Sequence, residues 1–254
     1  MLRIEDLHRN FYGVLALNGV NLDVHPGTIT GLIGPNGAGK TTVFNCVSGM
    51  IPPHQGRITF AGQDITAWAP HRITLAGLVR TFQIARGFPR LSVLENLMLY
   101  GNHQPGEGMI AAILRPASVA RREEELRARA REVARRLNLT RVLNEPAANL
   151  SGGQKKLLEI GRALMTDPKL ILLDEPIAGV NPALGQEIAD HLRVLRDDGL
   201  TFLIIEHHMD VIARLCDPVI VMAEGRHLAE GTFAEVAANH EVQEAYMGRR
   251  KWAS

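Results

Sequence analysis

Alternation of apolar and polar residues marks two short strands near the start of the chain, at residues 2 to 8 and 20 to 25, where L-R-I-E-D-L and V-N-L-D-V-H place every second side chain on one face. Longer apolar runs follow a different rule. K-L-I-L-L-D-E at 169 to 175 reads as a strand buried on both faces, the mark of a parallel sheet, and L-T-F-L-I-I-E at 200 to 206 as another buried strand, while T-I-T-G-L-I ending at Ile33 and P-V-I-V-M-A before Glu224 read as further strands. The 169 to 175 strand is expected beside the strand ending at Ile33. R-I-T-F-A-G-Q-D-I reads as a strand, a turn and a return, and L-V-R-T-F-Q as a core strand ending at Gln83. Helical spacing appears at 70 to 76, at 93 to 100, from Pro182 to about Arg196 and over M-D-V-I-A-R-L-C. The clearest helix is 121 to 137, with Leu126, Ala130, Val133, Ala134 and Leu137 on one face and seven arginines and four glutamates over the rest. Another opens after Ser151 with the stripe Leu157, Ile160, Gly161 and Leu164.

Composition narrows the class without naming it. A chain of 254 residues, 46% apolar and 22% charged, has the balance of an ordinary globular protein with one sizeable core and room for a smaller subdomain. A formal charge of +1 gives no electrostatic case for nucleic acid, and the glutamates within the arginine-rich helix weaken it further. No 18-residue apolar run and no apolar signal core occur, so membrane spanning and export are not expected. Cys46 and Cys216 match no metal spacing and read as buried thiols. Met109, Ile110, Ile113 and Leu114 read equally as core or as a patch for another protein.

The stretch that carries chemistry is GPNGAGKTT, residues 34 to 42. Gly34, Gly39, Lys40 and Thr41 satisfy G-x-x-x-x-G-K-T directly after an apolar strand and directly before a helix faced by Val43, Phe44 and Val47. A strand, a glycine turn and a helix start aim backbone N–H groups at phosphate oxygens, and glycines leave no Cβ in the way. Asn36, Gly37, Ala38, Gly39 and Thr42 are therefore candidate phosphate contacts, with Lys40 on the β and γ phosphates and Thr41 on Mg²⁺. At the tip of the 169 to 175 strand, Asp174 would hold the Mg²⁺ water shell and Glu175 would polarise the attacking water; two carboxylates at a core strand end need such a reason. His207, after the 200 to 206 strand, can report a γ-phosphate, and no further ligands support a zinc site there. Gln83, a polar amide at a strand end, has the chemistry to sense Mg²⁺ or water. Tyr12, next to a glycine, is either core or an adenine platform.

LSGGQ, Leu150 to Gln154, makes a second candidate anion site. Ser151 is a suitable N-cap, and Gly152 and Gly153 expose backbone N–H groups. One domain accommodates one γ-phosphate, so the economical reading is that this surface serves nucleotide held by a partner subunit.

Taken together these residues resemble the ATP-binding subunits of ABC transporters. GPNGAGKTT, the Gln83 loop, LSGGQ, LILLDEP and the histidine after LIIE stand in that family's order, and the likeness runs over essentially the whole chain. TFQIARGFPRLSVLENL, PAANLSGGQKKLLEIGRAL, DEPIAGVNP, IIEHHMDVI and EVQEAYMG are similar to the first ATP-binding subunit of branched-chain amino acid importers, and urea importers share much of the pattern. The resemblance implies an α/β fold: a P-loop NTPase core of ABC type with an antiparallel β subdomain and a helical signature subdomain, a single domain over 1–254 with the helical part inserted at about 88–165. It implies adenine stacking on Tyr12, Gln83 touching both Mg²⁺ and the membrane subunit, and Ser151, Gly152, Gly153 and Gln154 completing the site of the opposing subunit. Glu175 resembles the general base and His207 the switch histidine. ATP and Mg²⁺ are the implied cofactors. The implied partners are a second ATP-binding subunit (a sister subunit, or a second copy), two transmembrane permease subunits and, indirectly, a periplasmic or extracellular substrate-binding protein, with no nucleic acid. The implied place is the cytoplasmic face of the membrane.

Four positions depart from the family pattern. Asn181 stands where Asp is usual, with activity expected to survive; His208 replaces the acidic residue of E-H-D, removing one acidic contact; and Lys155 and Lys156 keep charge but lose the planar fork of arginine. The competing functions are an importer of urea or short amides, a lipopolysaccharide-type exporter ATPase, a soluble ABC ATPase of repair or translation, and a nucleotide-dependent regulator that hydrolyses little ATP.

Overall fold

A computed structural model describes residues 1–81, 88–102 and 117–247. Two compact units divide the chain: the first takes Met1–Arg80, Lys169–Ala178 and the residues from Leu192 on, the second Thr81–Pro168 and Gly179–His191.

Two sheets build the first unit. One is antiparallel, in the order β2-β1-β4-β5, from strands β1 (Leu2–Phe11), β2 (Val14–Val24), β4 (Gln55–Phe60) and β5 (Gln63–Asp64). The other has six strands in the order β10-β9-β3-β8-β7-β6: β3 (Ile29–Ile33), β6 (Leu78–Arg80), β7 (Leu170–Asp174), β8 (Thr201–Ile205), β9 (Val219–Ala223) and β10 (Arg226–Gly231). All neighbours in it are parallel except β10, which returns antiparallel to β9. The parallel strands are the apolar runs of the sequence. All five residues of β3 and of β8 are buried, as runs covered on both faces require.

Two expectations are corrected. The 169 to 175 strand does not lie beside β3, because β8 runs between them. Both runs are equally apolar, so composition carries no information on their order. The first two strands are also longer than the alternation indicates and meet in a tight hairpin at Tyr12 and Gly13. Register shifts after Ile4, Leu7 and Arg9, with Asp6 at φ 49°, break the two-residue period in the middle of β1.

A continuous apolar cluster joins the two sheets through helix α1 (Lys40–Val47), whose Val43, Phe44 and Val47 are completely buried against residues such as Leu2, Leu17, Leu172 and Leu203. At about 25 cal/mol per Å² of apolar surface, burying side chains of this size contributes roughly 1.5–3 kcal/mol each. Cys46 and Cys216 are both buried free thiols, and burial pushes them up to about 11 and about 12.

The second unit is helical. Its helices α2 (Val93–Met98), α3 (Ala117–Arg136) and α4 (Gly152–Leu164) pack on one another. The stripe Leu126, Ala130, Val133, Ala134 and Leu137 is buried as its spacing predicts, and so are Leu157, Ile160 and Leu164. Gly161 lets the helices approach, since a Cβ there would meet Leu97 at 2.9 Å and Leu137 at 3.1 Å. Asn96, with no exposed surface, anchors this core: its amide donates to the carbonyls of Phe88, Leu91 and Ser92, and its oxygen accepts from Arg162 at 2.7 Å. Gln83, the 109–114 apolar patch and the tail RRKWAS lie outside the described residues.

Candidate functional site

The carboxyl end of the parallel sheet gathers most of the predicted residues of the first unit. Residues 34 to 39 leave β3 and turn into α1, with Gly39 as N-cap at φ 99°. Gly34 has no room for a side chain, because a Cβ would run into the carbonyl oxygen of Met222 at the end of β9. Behind Gly39 stands the carbonyl of Ala16, and the N–H of Gly225, in the β9–β10 turn, donates to Ala38 at 3.1 Å. A Cβ at Gly37 would meet nothing within 4 Å, and Asn36 and Thr41 are exposed. The loop is thus walled at its back and open on its outer side, a shape that fits phosphate oxygens against backbone N–H groups. Lys40 folds over it, its Nζ donating to the carbonyls of Gly34 at 2.7 Å and Pro35 at 3.0 Å. Burial lowers the Lys40 ammonium from its ordinary value, while the nearby Glu175 and Asp174 carboxylates act in the opposite direction.

Further along the outer side of the loop, a cavity of about 530 Å³ separates Asn36 and Gly37 from Arg226, His227, Glu241 and Glu244. Tyr246, in the helix His240–Met247 and 40% exposed, meets the backbone N–H of Gly34; partial burial pushes its phenol up and this hydrogen bond opposes the shift.

The two carboxylates after β7 have different surroundings. Asp174 accepts from Arg80 Nη2 at 3.0 Å, and Arg80 Nη1 donates to Asn45 of α1 at 2.6 Å. Glu175 adopts φ 51°, a left-handed backbone uncommon for a side chain of this kind, and its Oε1 lies 3.1 Å from His207 Nε2. The Glu175 N–H donates to Ile205 at 2.9 Å, tying the loop after β7 to the last residue of β8. The next residue of that chain, Glu206, is 1% exposed.

Tyr12 stands at the tip of the β1–β2 hairpin, fully exposed, with φ 49°. The Gly13 N–H donates to Asn10 Oδ1 and closes the turn. In the second unit Ser151 caps its helix. Its Oγ accepts from the Gln154 N–H at 3.3 Å, and Gln154 Oε1 accepts from the Ser151 N–H at 2.9 Å. Gly152 is exposed, and Gly153 is buried against Leu184. Asn181 Oδ1 accepts from the Leu184 N–H at 2.9 Å, a helix-capping bond that an Asp makes equally well. His208, the other departure, turns its Nδ1 to Glu206 Oε2 at 3.1 Å, so a carboxylate faces it from its own strand.

Arg80 and Glu206 escaped the sequence reading. Arg80 sits inside a short strand and finds its partner 94 residues away, while Glu206 reads as the polar end of an apolar run. Among the described residues no cluster of His, Cys, Asp or Glu suits a resident metal, and no helix is long and apolar enough to cross a membrane.

A phosphate loop after β3, with carboxylates at the tip of a parallel strand two places away in the sheet, is the arrangement of a P-loop nucleoside triphosphatase. The ABC transporter family model matches residues 17–178, and the model for the branched-chain amino acid ATP-binding cassette transporter matches 226–251. The chain belongs to the ABC transporter family, as an ATP-binding, ATP-hydrolysing subunit. It is 42% identical over 250 residues to the probable branched-chain amino acid transport ATP-binding protein LivG of Archaeoglobus fulgidus, covering 98% of this chain and 95% of that protein. Its identity to the corresponding protein of Methanocaldococcus jannaschii is 40% over 252 residues, covering 98% and 97%. The crystal structure of an ABC transporter ATP-binding cassette in its ADP conformation superposes with a TM-score of 0.85 at 40% identity, covering 98% of each chain.

Proposed function

We propose that the chain hydrolyses ATP to drive an importer of branched-chain amino acids, acting as one of two cassettes on the cytoplasmic face of two permease subunits. The observation that carries the substrate class is the likeness, over 98% of the chain, to ATP-binding proteins named for branched-chain amino acid transport, together with the carboxyl-terminal match at 226–251. A substrate-binding protein would deliver the amino acid to the permease from outside. Urea and short amides are the competing cargo.

In this reading ATP lies along the phosphate loop, with the adenine on Tyr12 and the phosphates on the N–H groups of Asn36 to Thr42. Thr41, Gln83 and Asp174 would hold Mg²⁺, which neutralises charge on the phosphates. Lys40 exchanges its loop carbonyls for phosphate oxygens. Glu175 takes a proton from water as the water oxygen attacks the γ-phosphorus and the bond to ADP breaks, and His207 holds the Glu175 carboxylate and the γ-phosphate in register. The open outer side of the loop supports a second cassette as the missing wall, its Ser151, Gly152, Gly153 and Gln154 donating to the γ-phosphate. A sister subunit is the favoured partner, a second copy the other candidate. The helical segment at about 88–165 presents that signature, and the Gln83 region passes its movement to the permease.

The deciding experiment purifies the chain with its permease and binding protein in lipid vesicles and measures ATPase stimulation by leucine, isoleucine or valine against urea and acetamide. Stimulation by the branched-chain amino acids is expected; stimulation by urea or acetamide alone would transfer the chain to the other class.

A further inference from the structure

Glu206 is a carboxylate buried at the tip of β8, and both of its oxygens are engaged. Oε1 accepts from the backbone N–H of Ile177 at 2.9 Å. Oε2 accepts from the N–H of His207 at 3.0 Å and faces His208 Nδ1 at 3.1 Å. Its two backbone partners belong to the two segments that carry the Glu175–His207 pair: one is the N–H of the histidine itself, the other lies two residues beyond the glutamate. Between Glu175 and Ile177 only Pro176 intervenes, and it has no N–H to anchor. The turn carrying Glu175 is therefore stitched to β8 at two points, by the Glu175 N–H on the Ile205 carbonyl and the Ile177 N–H on Glu206.

A buried carboxylate is costly unless its oxygens are filled, and an ordinary strand end would use an apolar residue. What the carboxylate alone supplies is two acceptors on one rigid group. An amide of the same shape offers one acceptor and one donor, so it satisfies Ile177 or His207 but not both.

We infer that Glu206 is a positioning residue for hydrolysis, fixing the distance between Glu175 and His207 by holding the backbones of both their loops on one carboxylate, with His208 securing its outer oxygen. The inference rests on the assignment of Glu175 as the base. Displacements near 1 Å at a reacting group cost about 100-fold in rate, so a looser clamp reads out in kcat rather than in ATP affinity. His208 becomes intelligible in the same terms: an Asp there would set a second carboxylate close to Glu206, whereas the imidazole is compatible with it.

The test compares Glu206→Gln, His208→Ala and Glu175→Gln in the full chain, by steady-state ATPase kinetics, nucleotide binding and thermal unfolding. Glu206→Gln is expected to lower kcat about tenfold or more, with KM for ATP within about twofold and nucleotide binding retained. His208→Ala, at a side chain 60% exposed, is expected to fold normally and lose about threefold in kcat, the smaller effect of removing one of the two partners of Oε2 while the His207 N–H still holds that oxygen. Wild-type kcat in a folded Glu206→Gln overturns the inference, as does a Glu206→Gln that fails to fold beside a His208→Ala of unchanged kcat, which leaves Glu206 a structural carboxylate. Full hydrolysis by Glu175→Gln instead removes the base assignment and this inference with it, whereas loss in Glu175→Gln beside unchanged Glu206→Gln removes this inference alone.

Discussion

The Arg80 guanidinium and the Asp174 carboxylate form an ion pair at 3.0 Å with their side chains only 9% and 10% exposed, and the same guanidinium reaches Asn45 on the helix that follows the phosphate loop. This connects the edge strand β6, the carboxylate strand β7 and helix α1 through one cation. Removing one partner of a buried pair leaves the other charge uncompensated. Arg80→Met is expected to destabilise the chain by about 3 kcal/mol, seen as a lower urea midpoint in metal-free buffer.

Glu175→Gln should keep ATP binding and lower kcat by at least about 100-fold, the scale of a lost general base. His207→Ala should fall in the same direction, since its Nε2 stands 3.1 Å from Glu175 Oε1. Single-turnover hydrolysis of prebound ATP separates this loss from one in binding, and wild-type turnover in either variant would sink the assignment of that residue.

Ser151 and Thr232 cap their helices with the same reciprocal box, the second with Glu235. Loss of either hydroxyl should cost about 1 kcal/mol of stability. Ser151→Ala should in addition lose ATPase activity, because Ser151 lies in the proposed contact with the partner's nucleotide, while Thr232→Ala should retain it. Paired urea titrations and ATPase rates read the two effects apart.

Glu159 provides a pH-dependent contribution of defined sign. Burial raises its carboxyl above the ordinary 4.5, against the opposing pull of Lys156, Arg162 and the Thr81 hydroxyl. The folded state therefore holds the proton more tightly than the unfolded chain. The stability this gives is fully present below pH 4.5 and is lost as pH rises through the folded value. Relative to wild type, Glu159→Gln should gain stability as pH rises above 4.5, and a difference in urea midpoint that stays constant as pH rises from 4.5 would contradict it.

The site was more legible than the sheet around it. GPNGAGKTT announces its loop because strand, glycines and helix start are contiguous, and the helical stripe from Leu126 to Leu137 is legible because burial repeats with the helical period. The order of β3, β8 and β7 was not, since all three are short and apolar-rich and nothing local distinguishes neighbours. The β1–β2 hairpin was cut short because its register shifts interrupt alternation where Asp6 turns left-handed. Arg80 and Glu206 were invisible for a related reason. Their meaning lies in partners far away in the sequence, Asp174 at the end of β7 and Ile177 in the turn that follows it, and a charge within or just after an apolar run gives no sign of what it will face.

The place of β3 has a consequence for the chain as it leaves the ribosome. Its neighbours in the sheet are β8 and β9, Thr201–Ile205 and Val219–Ala223. The carbonyl that closes the back of Gly34 belongs to Met222. The nucleotide loop is thus synthesised early and completed late, because Met222 follows Gly34 by 188 positions in the sequence. A nascent chain halted before β9 carries the whole GPNGAGKTT motif without the Met222 carbonyl that stands behind it.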